Sequence, residues 1–210
     1  MPLSQPVRGG LVELTPGLWR WSTPHPDWEP DPTPESAADW PREIGSVLYD
    51  ATDATVLIDP YLADDDLLWS RLDDHVEDRG QRVAVLTTVK WHRRSRDALV
   101  SRYGASTSRA RTSLPQGVEA FRVPGAGETI FWLPTRKALV PGDRLLGGGS
   151  GGLRLCPASW LRYLPSGMTR EGLREELRPL LELPIELVLT SHGAPVLADG
   201  HAALSAALDE

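Results

Sequence analysis

The stretch from Val83 to Tyr103, VAVLTTVKWHRRSRDALVSRY, constrains the fold more than any other. Val83-Ala84-Val85-Leu86 is uniformly apolar, which predicts a strand covered on both faces. The segment then turns polar, and Thr87 to Arg94 holds Lys90, Trp91, His92, Arg93 and Arg94. Ser95 can cap a helix through Leu99 to Tyr103, and Gly104 can end it. A strand, a polar loop and a helix start in succession is where α/β proteins place their chemistry.

The flanking sequence repeats this alternation. Residues 11–21 alternate apolar and polar around Thr15-Pro16-Gly17, a hairpin signal. Glu43–Tyr49 and Ala54–Ile58 read as strands, the second buried on both faces. Asp64–Asp78 reads as a helix with Leu68, Leu72 and Val76 on its buried stripe and aspartates at its start. His75 on that helix is expected at the surface. Residues 106–117 read as a polar connection. Val118–Val123, Thr129–Leu133 and Lys137–Val140 follow as strands, the last two a hairpin. GGGSGG at 147–152 lacks the Lys and following helix of a phosphate loop and reads as a flexible connection. Pro157–Leu164 can open with a helical turn. Thr169 can cap a helix carrying Leu173, Leu177, Leu180 and Leu181, with a break near Pro179. Ile185–Leu189 reads as a buried strand ending at Thr190-Ser191-His192-Gly193, and a last helix is expected over about 200–208.

Residues 22–42, STPHPDWEPDPTPESAADWPR, stand apart. Their prolines oppose both helix and central strand. A segment this long between elements is usually a lid or disordered, and Trp28 and Trp40 favour a packed lid. His25 within it is expected to be solvated.

A length of 210 residues fits one domain, 1–210. A formal charge of −7 argues against nucleic acid as a partner. Arg93, Arg94 and Arg96 cluster locally and read as a solvated helix start. Cys156 is the only cysteine, so no intrachain disulfide forms. It is expected as a small core residue in a reducing, cytoplasmic setting. No apolar run suggests a signal peptide or a membrane span.

Four motifs, in order, resemble the metallo-β-lactamase superfamily: VLIDPYL, LTTVKWHRRS, VPGAGET with LVPGD, and VLTSHG. The resemblance covers the chain from about Leu11 to Leu208. It implies a four-layer αββα sandwich, two mixed sheets flanked by helices. It also implies that the strand-loop-helix described first is the family's histidine box. Residue by residue, the first metal's ligands fall at Thr88, Lys90 and Ala126. Those of the second fall at His92, Arg93 and His192, and the bridging aspartate is Asp143.

Thr, Lys and Ala cannot replace three imidazoles around zinc, so a dinuclear centre is not expected. His92, Asp143 and His192 could hold one zinc or iron ion as a His-Asp-His triad. A cation about 5 Å from such a dication would oppose it by roughly 2–7 kcal/mol, for effective dielectrics between about 80 and about 20. The expectation is therefore no metal, with Lys90 or Arg93 neutralising Asp143, and one ion as the alternative. The implied function is hydrolase-like, on a small, anionic ligand of unidentified chemistry. His92 or His192 would be the general base and Lys90 or Arg93 the oxyanion stabiliser. Thr88, Trp91, Trp28 and Trp40 would complete the ligand site. A non-catalytic partner protein using the Trp-rich lid is the remaining alternative. Oligomeric state is left open.

Overall fold

In the computed structural model, which describes residues 10–30, 33–108, 114–148, 151–164 and 166–209, the chain opens with the antiparallel hairpin β1 (Val12–Thr15) and β2 (Leu18–Pro24). Gly17 turns it at φ +79°, a conformation glycine adopts without strain. β3 (Glu43–Asp50) and β4 (Thr55–Ile58) extend the sheet antiparallel. Helix α1 (Asp66–Arg79), β5 (Val83–Leu86), helix α2 (Arg96–Tyr103) and β6 (Ser106–Ser108) follow, and β4, β5 and β6 run parallel. The six strands lie in sequence order, β1 to β6.

The second half builds another sheet. β7 (Glu119–Val123), β8 (Glu128–Leu133) and β9 (Ala138–Val140) form a meander. A separate hairpin, β10 (Leu145–Gly147) with β11 (Leu153–Leu155), leads into α3 (Ala158–Leu161) and α4 (Arg170–Leu177). β12 (Leu187–Val188) returns parallel to β9, and α5 (Gly200–Asp209) closes the described chain. The order is β12-β9-β8-β7.

Strand alternation sorts these elements into four layers. Val47, Val56, Ile58, Ala84 and Leu86 face Phe131, Leu133, Ala138 and Val140 in a core between the sheets. The intervening residues Leu48, Leu57, Val83 and Val85 pack outward on Leu68 and Leu72 of α1 and Leu99 of α2. Ile130, Trp132 and Leu139 pack outward on Leu173 and Leu177 of α4 and Leu204 and Leu208 of α5. Period-2 strands covered on both faces require this αββα sandwich. No helix is long and apolar enough to cross a membrane, among the described residues.

Several expectations change. Ser95 does not cap α2 with its side chain; its Oγ instead accepts from the Leu62 amide at 3.0 Å. Within the polar connection, Ser106–Ser108 form an edge strand, because β5 offers a free parallel ladder there. Pro24 ends β2 opposite Glu43, where β1 no longer reaches, so its missing N–H costs no ladder bond on that side. His75 is half-buried rather than free at the surface: Nε2 lies 2.9 Å from Asp50 and the ring meets Trp19 edge-on. The late strand is shorter than expected, since Ile185 and Glu186 carbonyls accept from His201 and Gly200 of α5. The glycine-rich stretch joins β10 to β11; its residues 149–150 lie outside the described residues. Thr169 caps α4 through the Gly172 amide, α4 stops before Pro179, and Cys156 is buried.

Candidate active site

The site forms where both sheets present the C-terminal ends of their strands. β4 delivers Asp59, β5 the 87–95 loop, β9 Gly142 and Asp143, and β12 Ser191 and His192. Asp59 has a φ of +46°, an uncommon conformation for a residue with a Cβ. Its carboxylate ties three segments together. Oδ1 accepts from the Thr88 amide at 2.9 Å. Oδ2 accepts from the Thr88 hydroxyl, from Ser191 Oγ at 3.1 Å, and meets His92 Nδ1 at 2.9 Å.

Asp143 is held from below by Glu128. That buried carboxylate accepts from the amides of Gly142, Asp143 and Arg144 at 2.9, 2.8 and 3.0 Å. Gly142 is required by closeness, since a Cβ there would lie 2.5 Å from Thr88 Oγ1. Asp143 Oδ2 accepts from Trp91 Nε1 at 2.6 Å. Its Oδ1 lies 2.9 Å from His92 Nε2 and 3.3 Å from His192 Nε2. Neither approach is aligned as a hydrogen bond, so Oδ1 is buried without a hydrogen-bond partner, as is His192 Nδ1.

Charge follows from this packing. Burial disfavours a charged His92, but Asp143 and Asp59 outweigh it and raise its pKa to about 9. Burial would raise Asp143 and Asp59; the His92 charge leads the effects that hold both below the usual carboxylate value. Burial lowers His192, against the pull of Asp143. Burial also pushes Glu128 up to about 7.

Arg94, expected in solvent, turns inward. Its Nη1 donates to the carbonyls of Gly45 and Asp59 at 3.2 and 2.9 Å, and Nη2 is buried without a partner. Lys90 and Arg93 are exposed, and neither contacts Asp143. In place of the expected ion pair, buried His92 and His192 and the half-exposed Trp91 reach the carboxylate. Lys90 lines the cleft; Arg93 lines a different groove.

The cleft encloses about 1120 Å³. Trp40, Trp91, Trp160 and Tyr163 supply aromatic walls around His92, Asp143 and His192. Residues 33–42 pack over this edge. Trp40 stands edge-on between His25 and His192, at centroid distances of 4.8 and 5.0 Å. Trp28 braces it, donating from Nε1 to the Trp40 carbonyl at 2.9 Å, but does not line the cleft. His25, expected in solvent, lines it. Asp39 pairs with Arg154 at 3.0 Å, and Trp160 Nε1 donates to the Ala37 carbonyl at 2.9 Å.

Solved structures share this architecture. The DIM-1 metallo-β-lactamase superposes with a TM-score of 0.59 at 13% identity, over 98% of this chain and 97% of that one. The chain has the metallo-β-lactamase fold. VMB-1 matches at TM-score 0.58 and 14% identity, over 94% of this chain and 97% of that one. The flavodiiron protein from Giardia intestinalis matches at 0.56 and 17%, over 98% of this chain but 60% of that one. No protein-family model and no curated protein matches the sequence.

Thr88, Lys90 and Ala126, which the sequence resemblance set at a first metal, bring no imidazole or carboxylate to the site. The Thr88 hydroxyl is spent on Asp59, Lys90 is exposed, and Ala126 has no donor side chain. His92, Asp143 and His192 do offer one nitrogen or oxygen each, all within 4.8 Å of one another. Ligand atoms at about 2.05 Å from one ion, at 90–109°, stand about 2.9–3.3 Å apart. The two separations from Asp143 Oδ1, 2.9 Å to His92 Nε2 and 3.3 Å to His192 Nε2, match that spacing. These three residues would be the ones to hold a single ion, with Asp59 on the far nitrogen of His92. On sequence, Asp59 and Glu128 carry no assigned role and Arg94 is set in solvent, although all three lie in the motifs VLIDPYL, VPGAGET and LTTVKWHRRS.

Proposed function

We propose that this protein is a hydrolase-like member of the metallo-β-lactamase fold that works without a dinuclear centre and binds a small organic anion in its cleft. The observation that carries the reading is charge balance. Asp59 and Asp143 flank His92 on both ring nitrogens, and Arg94 lies alongside, so two carboxylates already meet two cations with no dication added. Beyond that balanced set the cleft is lined by Lys90 and by Arg144, the latter 3.9 Å from Glu128, against Asp27 alone, although the chain carries −7. Aromatic walls suit an anion with an apolar body. Any residual hydrolysis would use His192 as base, since His92 holds its proton, with Lys90 beside the developing oxyanion. Arg93 leaves that role because it faces elsewhere.

The unpartnered Asp143 Oδ1 favours a second reading, one zinc or iron ion on His92, Asp143 and His192. Such an ion would activate a water, and binding it would displace the His92 proton. Elemental analysis and thermal melts with and without chelator separate the two. The metal-free reading expects no bound metal and an unchanged melt. Stoichiometric metal with a chelator-induced fall in Tm would replace it by the second. Tryptophan fluorescence should report small aromatic carboxylates entering between Trp40 and Trp160, and a flat titration across that class would remove the anion reading.

A further inference from the structure

A second groove, of about 850 Å³, shares Lys90, Trp91 and Gly127 with the cleft and otherwise has its own wall. It lies where the two sheets present their outer strands, with Thr107 on β6 and Arg122 on β7. Its charged lining is Lys90, Arg93, Arg96 and Arg122, without one carboxylate, in a chain of net charge −7. Arg96 is bonded to the neighbouring Asp97 at 2.9 Å. Lys90, Arg93 and Arg122 form no ion pair among the described residues and are exposed.

The cations come from separate elements: the loop after β5, the first residue of α2, and β7. The fold fixes their spacing. The Thr129 amide donates to the Thr88 carbonyl at 2.9 Å, which locks the loop to β8. Arg122 lies directly across the ladder from Thr129. Thr107 and Thr129 line the groove with the charges. Like charges gathered round a concavity repel one another unless a counter-ion enters, and guanidinium forks match phosphate oxygens in pairs. Four cations round a groove far larger than one phosphate fit an anion carrying several.

We propose that this groove is an oligophosphate site, for a pyrophosphate unit free or attached to a nucleoside. It is independent of the cleft reading, because the arginines and threonines that define it do not line the cleft. The test is calorimetric titration at low salt with orthophosphate, inorganic pyrophosphate and ATP. Pyrophosphate should bind roughly tenfold or more tighter than orthophosphate, and weaken as salt is raised. ATP binding as well as pyrophosphate would place the source as nucleotide or inorganic alike; ATP binding more tightly would favour the nucleotide. The exposed double variant Arg93→Gln/Arg122→Gln should keep its melt and lose about tenfold or more in affinity. Tyr163→Ser, at the lip of the other cleft, should leave affinity unchanged. The proposal fails if pyrophosphate gives no binding at millimolar concentration, or if the double variant binds it like wild type. It fails equally if Tyr163→Ser abolishes binding, or if short single-stranded RNA binds and pyrophosphate does not.

Discussion

His92 Nδ1 lies 2.9 Å from Asp59 Oδ2, with both side chains buried. One carboxylate thereby fixes the ring that faces the cleft and, through Thr88 and Ser191, fixes the loops on either side of it. The second carboxylate, Asp143, meets the opposite nitrogen. An imidazole set between two buried carboxylates is a structural cation first, and this decides what the remaining groups can do.

Stability of the chelated protein should fall on the alkaline side in two limbs. His92 is raised from 6.5 to about 9, so its contribution is complete below pH 6.5 and lost as pH climbs through 9. Glu128 is raised from 4.5 to about 7, so its contribution is complete below 4.5 and lost through 7. Asp59 and Asp143, shifted down, and His192, shifted down, act oppositely, losing stability as pH falls below their ordinary values of 3.8 and 6.5. Melts from pH 4 to 10 should show His92→Gln flattening the upper limb and Glu128→Gln the lower. An upper limb unchanged in His92→Gln would show that the histidine is not charged.

Glu128→Gln should also cost about 1–3 kcal/mol near neutral pH, since an amide nitrogen would face backbone donors that the carboxylate now accepts. Gly142→Ala should cost a similar amount, about 1–3 kcal/mol, by driving a methyl group into Thr88. Denaturant unfolding measures both; a loss under about 0.5 kcal/mol for Gly142→Ala would mean the loop yields easily.

The sandwich was legible because its strands are short apolar runs covered on both faces, as in Val83–Leu86 and Thr55–Ile58, and because His92, Asp143 and His192 kept their places in ordered motifs. Arg94 was not legible. Its burial depends on carbonyls of Gly45 and Asp59, far away in sequence, and no local pattern announces them. Ser106–Ser108 was missed because an edge strand needs no apolar face. A direct contact from Lys90 or Arg93 to Asp143 is not formed for a related reason: the substitution pattern gave charges, but not the direction in which the loop turns them.

The segment over the cleft should open when its anchor is removed. Asp39→Ala deletes the side-chain contacts to Arg154 at 3.0 and 3.3 Å and leaves only the Arg154 bond to the Asp39 carbonyl, one residue before Trp40. Hydrogen exchange over residues 33–42 should rise several-fold while β4 and β5 stay protected. Equal exchange in variant and wild type would show that Trp160 and Trp28 hold the segment unaided.

Lys90→Ala and Asp143→Asn separate the observed network from the pair expected on sequence. Lys90 is exposed and does not touch Asp143, so its truncation should change stability by less than about 0.5 kcal/mol. Asp143→Asn leaves a buried His92 with Asp59 as its only carboxylate and turns one of the two oxygens facing Trp91 and the histidines into an amide donor, at a cost of about 3 kcal/mol. The loss should shrink above pH 9, where His92 gives up its proton in the wild type as well. Unfolding curves for both variants in chelator, at pH 6 and pH 9.5, provide the measurement. A Lys90→Ala loss of about 1–3 kcal/mol, the size of an uncompensated buried acceptor, would restore the ion pair and remove His92 from the centre of the site.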